Sequence, residues 1–394
     1  MSYLIILLII SYFVYSLDKY SKKIFSISVI LILSQFTFSY VFYNSEINRK
    51  WIFIYDKPKM SWSFLIFFLL FIFGILWGYY FQEKVKFVFS FLPARSLKYS
   101  KFKLKLMYYF LAILSILAFS IAISGVNINF LVVSSRLYEQ QFGRSTLINY
   151  LYFLNVVAII LSVYYRYLFQ KRIKYSKIIN ILLIFISFFH GIKFTIFDTF
   201  LYPIIFSYVV NDDLKTIKDF ITRYIIVLIF LFIAIVLFFI FVRGNGVAGI
   251  YNYFFSSVYN YFYNIETRPF QFVNPLRLFI PREFNLNFKF EIWGIYGYSL
   301  NDSYNTYTGF SMLYSIFNIF YPFIYFPYLL LLIKNFYLKK ESGLLNSFLL
   351  TYLLYCNLMM FFSWQFTKSK YIYYIFVVFI IDIFSRKRNC IKSF

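Results

Sequence analysis

The chain has 394 residues, 62% of them hydrophobic, and a mean hydropathy of +0.71. Repeated apolar runs of roughly 18 or more residues need hydrocarbon around them, so a soluble domain is excluded. The net charge of +24 would indicate nucleic acid in a soluble protein; here it reads as topological, with basic loops held on the cytoplasmic face and no nucleic-acid partner.

Hydropathy predicts an all-α, polytopic integral membrane protein of about eleven transmembrane helices with one long extracytoplasmic loop. In chain order the spans are predicted at 3–17, 24–43, 61–82, 107–124, 147–169, 178–190, 198–210, 224–242, 309–333, 345–363 and 371–384. The first has the length of a signal peptide but lacks a basic leader and a small-residue cleavage site, so it is expected to remain as a span. The segments 178–190 and 198–210 are shorter than the roughly 20 residues that cross a bilayer core. They predict tilted helices, or half-helices meeting a cavity. No repeat or linker divides the chain, and residues 1–394 read as a single membrane domain.

Phe and Tyr reach 58 and 41 residues and rise together with Ile, Lys and Asn, the pattern that biased base composition would give. Tyr also collects at bilayer interfaces. Cys356 falls inside a predicted span and Cys390 in the tail, so no disulfide framework is indicated.

Orientation follows from the loops. Lys84, Lys86, Arg95, Lys98, Lys101, Lys103 and Lys105 place the segment Glu83 to Leu106 in the cytoplasm. Alternation then puts Lys171, Arg172, Lys174, Lys177, Lys339, Lys340 and the Arg386 to Arg388 tail inside as well. The amino end faces out. So do the first outer loop (125–146), the His190 to Asp198 turn and the long outer loop (243–308).

No nucleotide-binding loop, Cys/His cluster or nucleophile elbow is present, and a single His excludes a multi-histidine metal centre. No cofactor and no metal are expected. What remains is a set of cations at the outer face. Arg136 and Arg144 flank Glu139 in the first outer loop, and their planar forks suit phosphate oxygens; the plain alternative is snorkelling, or pairing with Glu139. His190, Lys193 and Asp198 follow at the ends of the two short spans, where ionisable groups are costly enough to point to function. His190 is suited to accept a proton near neutrality, or is simply interfacial. Arg243-Gly244-Asn245-Gly246 opens the long loop, which sets Arg268, Arg277 and Arg282 beside Pro or aromatic residues and adds the acids Glu266 and Asp302. A loop this long is either functional or a solvated connector.

Four elements carry a resemblance: the Arg136 to Gly143 loop; Gly191-x-Lys193 before a span; Arg243 opening a long outer loop with a Tyr-rich stretch; and Asn305-Thr306-Tyr307-Thr308-Gly309-Phe310 with Leu313-Tyr314 at entry to the next span. Their arrangement resembles the Wzy-type O-antigen and capsule polymerases, the oligosaccharide repeat-unit polymerases, from the fifth predicted span onward. The chain departs from that family at Ser315-Ile316-Phe317-Asn318, where an acid and a glycine are frequent, and at Lys193, where Arg is frequent.

The resemblance implies a metal-independent membrane glycosyltransferase in the bacterial cytoplasmic membrane, acting in lipopolysaccharide or capsule biosynthesis. A growing glycan on undecaprenyl diphosphate would pass to a sugar hydroxyl of the next lipid-linked repeat unit. Donor and acceptor are the implied partners, within membrane lipid and beside a chain-length regulator and a flippase. The diphosphates would be held by Arg136, Arg243 and Arg277, then by Arg144, Lys193, Arg268 and Arg282, and the glycan by Asn305 and Tyr307. His190, Asp198, Glu139, Glu266 and Asp302 are the candidate bases for the acceptor hydroxyl. Two other functions fit the composition: a lipid-linked oligosaccharide flippase or other polysaccharide transporter, and a membrane O-acyltransferase.

Overall fold

The computed structural model describes residues 2–44, 61–85, 98–126, 141–142, 146–189, 193–211, 222, 225, 229, 233, 258, 260–262, 309–361, 366 and 368–387. Their secondary structure is helical. The first helices are α1 (Ser2–Leu17), α2 (Ile24–Asn44), α3 (Ser61–Lys84), α4 (Lys101–Ser124), α5 (Thr146–Tyr152) and α6 (Leu154–Phe169). They are followed by α7 (Ser176–Phe188), α8 (Lys193–Val210), α9 (Gly309–Phe317), α10 (Tyr321–Leu338), α11 (Leu344–Leu358) and α12 (Ser369–Ser385). Most of the predicted span 224–242 and the whole long loop 243–308, apart from residues 258 and 260–262, lie outside the described residues.

Among the described residues, four stretches are long and apolar enough to cross a membrane: Phe64–Lys84, Lys101–Ser124, Leu147–Phe169 and Asn318–Leu338. Shorter apolar helices accompany them. Exposed apolar side chains line up on helix faces, as with Phe110, Ile113, Leu117 and Ile121 on α4 and Phe376, Phe379, Ile380 and Ile383 on α12. Water penalises stripes of this kind, whereas lipid accepts them, so these are the faces of a helical membrane protein.

Several predicted boundaries are corrected. α4 starts at Lys101 rather than 107, because Ser100 caps it, its Oγ accepting from the Lys103 N–H at 3.4 Å. The span 147–169 keeps its predicted bounds as one apolar stretch, but its helix is interrupted at Phe153, where the Ser115 hydroxyl donates to the Tyr152 carbonyl at 2.8 Å. The span 309–333 is broken by a 3-10 turn, Asn318–Phe320, in which Asn318 takes φ 53°. Asn tolerates this left-handed backbone, and its Oδ1 accepts from the Ile319 N–H at 2.9 Å. The span 345–363 ends as helix at Leu358 and finishes in a 3-10 turn, Met359–Phe361. The predicted turn from His190 to Asp198 is shorter, since Lys193 already opens α8 and Asp198 lies in its second turn.

The chain divides into two compact units. The first comprises Met1–Phe89, Ala248–Tyr337 and Leu353–Ser369. Its core is aromatic: Phe36 stacks on Phe67 with centroids 4.6 Å apart, and Phe71 meets Phe326 edge-on at 4.8 Å. The rings that composition explained as base bias therefore also fill this interior. Gly74 and Gly78, four residues apart on α3, let α10 approach closely, because a side chain at Gly74 would meet Pro322. At the α1–α2 turn the buried Asp18 carboxylate accepts from the Ser21 N–H at 3.2 Å, from the Ser21 hydroxyl, and from the Ser26 N–H and hydroxyl at 3.1 and 2.8 Å. Lys23 Nζ donates to the Tyr15 and Asp18 carbonyls, both at 2.7 Å, and so compensates the carbonyl end of α1.

Asp18→Ala removes the acceptor of these buried donors and should cost about 2–3 kcal/mol in thermal unfolding. Lys19 and Glu83 pair at 3.0 Å in the open, so Lys19→Ala should leave the midpoint unchanged. Equal effects of the two substitutions would show that Asp18 does not organise the turn.

The second unit comprises Ser90–Val247, Leu338–Tyr352 and Lys370–Phe394. At one end the buried Asp382 carboxylate accepts from the Tyr99 hydroxyl, from Arg386 Nη2 at 2.5 Å and from the Leu344 N–H at 3.1 Å. Burial, followed by the charge of Asp382, pushes the Tyr99 phenol far above its ordinary range, so it stays a neutral donor. The start of α4, the start of α11 and the end of α12 thus meet on one carboxylate. These are three of the segments that loop charge assigns to a common side.

Candidate functional site

The second buried carboxylate of this unit, that of Asp198 on α8, meets the other end of α12. Asp382 and Tyr371 are eleven residues apart on that helix, about 16 Å along its axis. Asp198 is 0% exposed; its Oδ2 forms an ion pair with Lys370 Nζ, and its Oδ1 accepts from the Tyr371 hydroxyl at 2.7 Å. The Lys370 side chain is 12% exposed and its ammonium lies 4.8 Å from the Tyr371 ring centroid and 5.9 Å from that of Phe153. Cation–π attraction and the carboxylate therefore hold the same ammonium. Tyr371 meets Tyr374 edge-on at 5.8 Å, and Tyr150 meets Tyr373 at 5.1 Å. The Tyr374 hydroxyl and, two residues beyond Phe153, Asn155 Nδ2 are buried with no hydrogen-bond partner among the described residues.

Local sequence accounts for this placement. Asp198 is fixed by a helix that begins five residues earlier, and the break at Phe153 turns that ring toward Lys370. Both oxygens of Asp198 are engaged by donors, so the carboxylate positions Lys370. The ammonium, pressed against two aromatic faces, is the group suited to a phosphate or sugar oxygen.

Of the predicted site residues, Asp198 is placed with its side chain and Lys193 by its backbone, as the first residue of α8. Arg136, Glu139, Arg144, His190, Arg243, Glu266, Arg268, Arg277, Arg282, Asp302, Asn305 and Tyr307 lie outside the described residues. The Asn305 to Phe310 element leads into α9, which starts at Gly309. Lys370 and Tyr371 were missed by sequence reasoning. The available signal was Lys368 and Lys370 on a loop that the charge rule assigns to the outer side, where cations are under-represented. Among the described residues, no group of three or more His, Cys, Asp or Glu side chains is placed to hold a metal ion. Comparisons with protein-family models, with curated proteins and with solved structures find no match to this chain.

Proposed function

We propose that this membrane protein polymerises undecaprenyl-diphosphate-linked oligosaccharide repeat units at the outer face of the bacterial cytoplasmic membrane. The acceptor sugar hydroxyl attacks the anomeric carbon of the donor glycan, the anomeric carbon–oxygen bond to the diphosphate breaks, and undecaprenyl diphosphate leaves. The hydroxyl proton passes to one of Glu139, His190, Glu266 or Asp302, while Asp198, both of whose oxygens are engaged, holds Lys370 in place. Since diphosphate is already a good leaving group, catalysis consists mainly of neutralising its developing charge and aligning the acceptor. Arg136, Arg243 and Arg277 supply that charge, with Arg144, Lys193, Arg268 and Arg282 in support, while Asn305 and Tyr307 hold the glycan.

One observation favours this reading over a carrier of the same substrates. Asp18, Asp198, Lys339 and Asp382 are the buried charged residues among those described, and each lies at a helix end or within two turns of one. Asp198 and Asp382 are further neutralised by Lys370 and Arg386. A flippase moving a diphosphate across the bilayer needs cations along its path; a polymerase needs them at one face.

Arg136→Lys and Arg243→Lys should each fail to restore full-length polymer, because an ammonium loses the paired contact that a guanidinium makes to phosphate. The measurement is polymer length made by each variant at matched expression. Full-length polymer from both Lys variants would reduce the arginines to bulk charge.

A further inference from the structure

A cavity of about 420 Å³ lies within the second unit, between α6, α7 and α8. Its walls follow from helical periodicity. On α8 the row Thr199, Pro203 and Ser207 repeats every four residues and points on to Asn211 just past the helix end, and the small side chains at the first three leave space beside the helix. Pro203 has no N–H to bond the Thr199 carbonyl, while the Thr199 hydroxyl donates to the Thr195 carbonyl at 2.8 Å. On α6 the facing residues are Ile159, Val163, Arg166 and Gln170. The cavity is therefore graded along its length: Ile159, Val163 and Pro203 form an apolar part, and Arg166, Gln170, Ser207 and Asn211 form a polar mouth. Arg166 makes no ion pair among the described residues. α6 is closed by Gln170, which takes φ 50° just past its end, and the exposed Lys171, Arg172 and Lys174 follow at once.

A volume of this size accommodates a small ligand or one chain of a larger one. An apolar pocket with a cationic mouth, in a bundle whose outer faces fit hydrocarbon, has the chemistry of an amphiphile with a negative head. We infer that this cavity is a binding site for an anionic phospholipid: one acyl chain lies between α6 and α8 against Val163 and Pro203, and the phosphate is held by Arg166 with the Lys171 to Lys174 loop beside it. This site is independent of the outer-face chemistry and carries no step of it.

The test uses the purified full chain in detergent, incubated with phosphatidylglycerol, with phosphatidylcholine of the same chains, or with inorganic phosphate, and read by native mass spectrometry. One phosphatidylglycerol should be retained in preference to phosphatidylcholine, and inorganic phosphate should not displace it. Arg166→Gln should lower retention about tenfold, the scale of one charge-assisted hydrogen bond, and Val163→Phe, which fills the apolar part, should lower it as well. Lys105→Gln, on the exposed side of α4, should change nothing. Photoactivatable phosphatidylglycerol on the unaltered chain should label residues 159–170 and 199–211. Equal retention of the two lipids, displacement by inorganic phosphate, or labelling confined to other segments would each overturn the assignment, whatever the variants do.

Discussion

Gly74→Ala should lower the stability of the first unit by about 2–3 kcal/mol, and Gly74→Val should prevent recovery of folded protein. A Cβ at Gly74 would sit 2.5 Å from Pro322 Cβ and 2.8 Å from the Pro322 carbonyl carbon. Pro322 lies in the first turn of α10 and its ring cannot rotate away, so α3 and α10 must separate. Contacts such as Phe71 against Phe326 are then loosened. At Gly78 the nearest atom is the flexible Leu330 Cδ1, at 2.9 Å, so Gly78→Ala should cost less. Thermal unfolding of the detergent-purified variants measures both. A Gly74→Ala midpoint equal to that of the unaltered chain would contradict the close approach.

Breaking the Asp198–Lys370 pair is the second large effect. Lys370→Met leaves Asp198 buried with the Tyr371 hydroxyl still donating to it, and Asp198→Ala leaves an ammonium between two rings. Each single change should cost about 3–5 kcal/mol, the usual consequence of stranding one buried charge. The double variant Asp198→Ala with Lys370→Met removes both charges and should recover part of that loss, giving a coupling of about 1–3 kcal/mol in a double-mutant cycle. Additive losses would mean that the two side chains act separately. If Lys370 also binds substrate oxygen, the double variant should fold and still make less polymer, a separation that a purely structural pair would not produce.

Much of the helical frame was legible because apolar runs bounded by polar residues are unambiguous at this hydropathy. α2 begins at the predicted Ile24, α3 at the predicted Ser61, and α12 extends the predicted 371–384 by two residues at its start and one at its end. The breaks were not legible. Phe153 and Asn318 sit inside continuous apolar runs, and what interrupts the helix there is a Ser115 hydroxyl from another helix or the left-handed backbone of one Asn. Hydropathy averages over both. The Gly74-x-x-x-Gly78 spacing is a sequence signal for close helix contact that hydropathy alone passes over, and it does not say which helix approaches. Asp198 was singled out because charge near a span end is costly; its partner, 172 positions away, depended on the tertiary fold. Lys370 was hidden for the same reason.

Polymerase activity is measured by supplying the purified chain, reconstituted in vesicles, with lipid-linked repeat units of the organism's own surface glycan and following the size of the products. The proposal predicts a ladder of undecaprenyl-diphosphate-linked polymers, release of free undecaprenyl diphosphate in step with each added unit, and loss of both with Arg136→Ala or Arg243→Ala at unchanged folding. Repeat units that cross the vesicle membrane without growing in length would contradict it and assign the chain to transport.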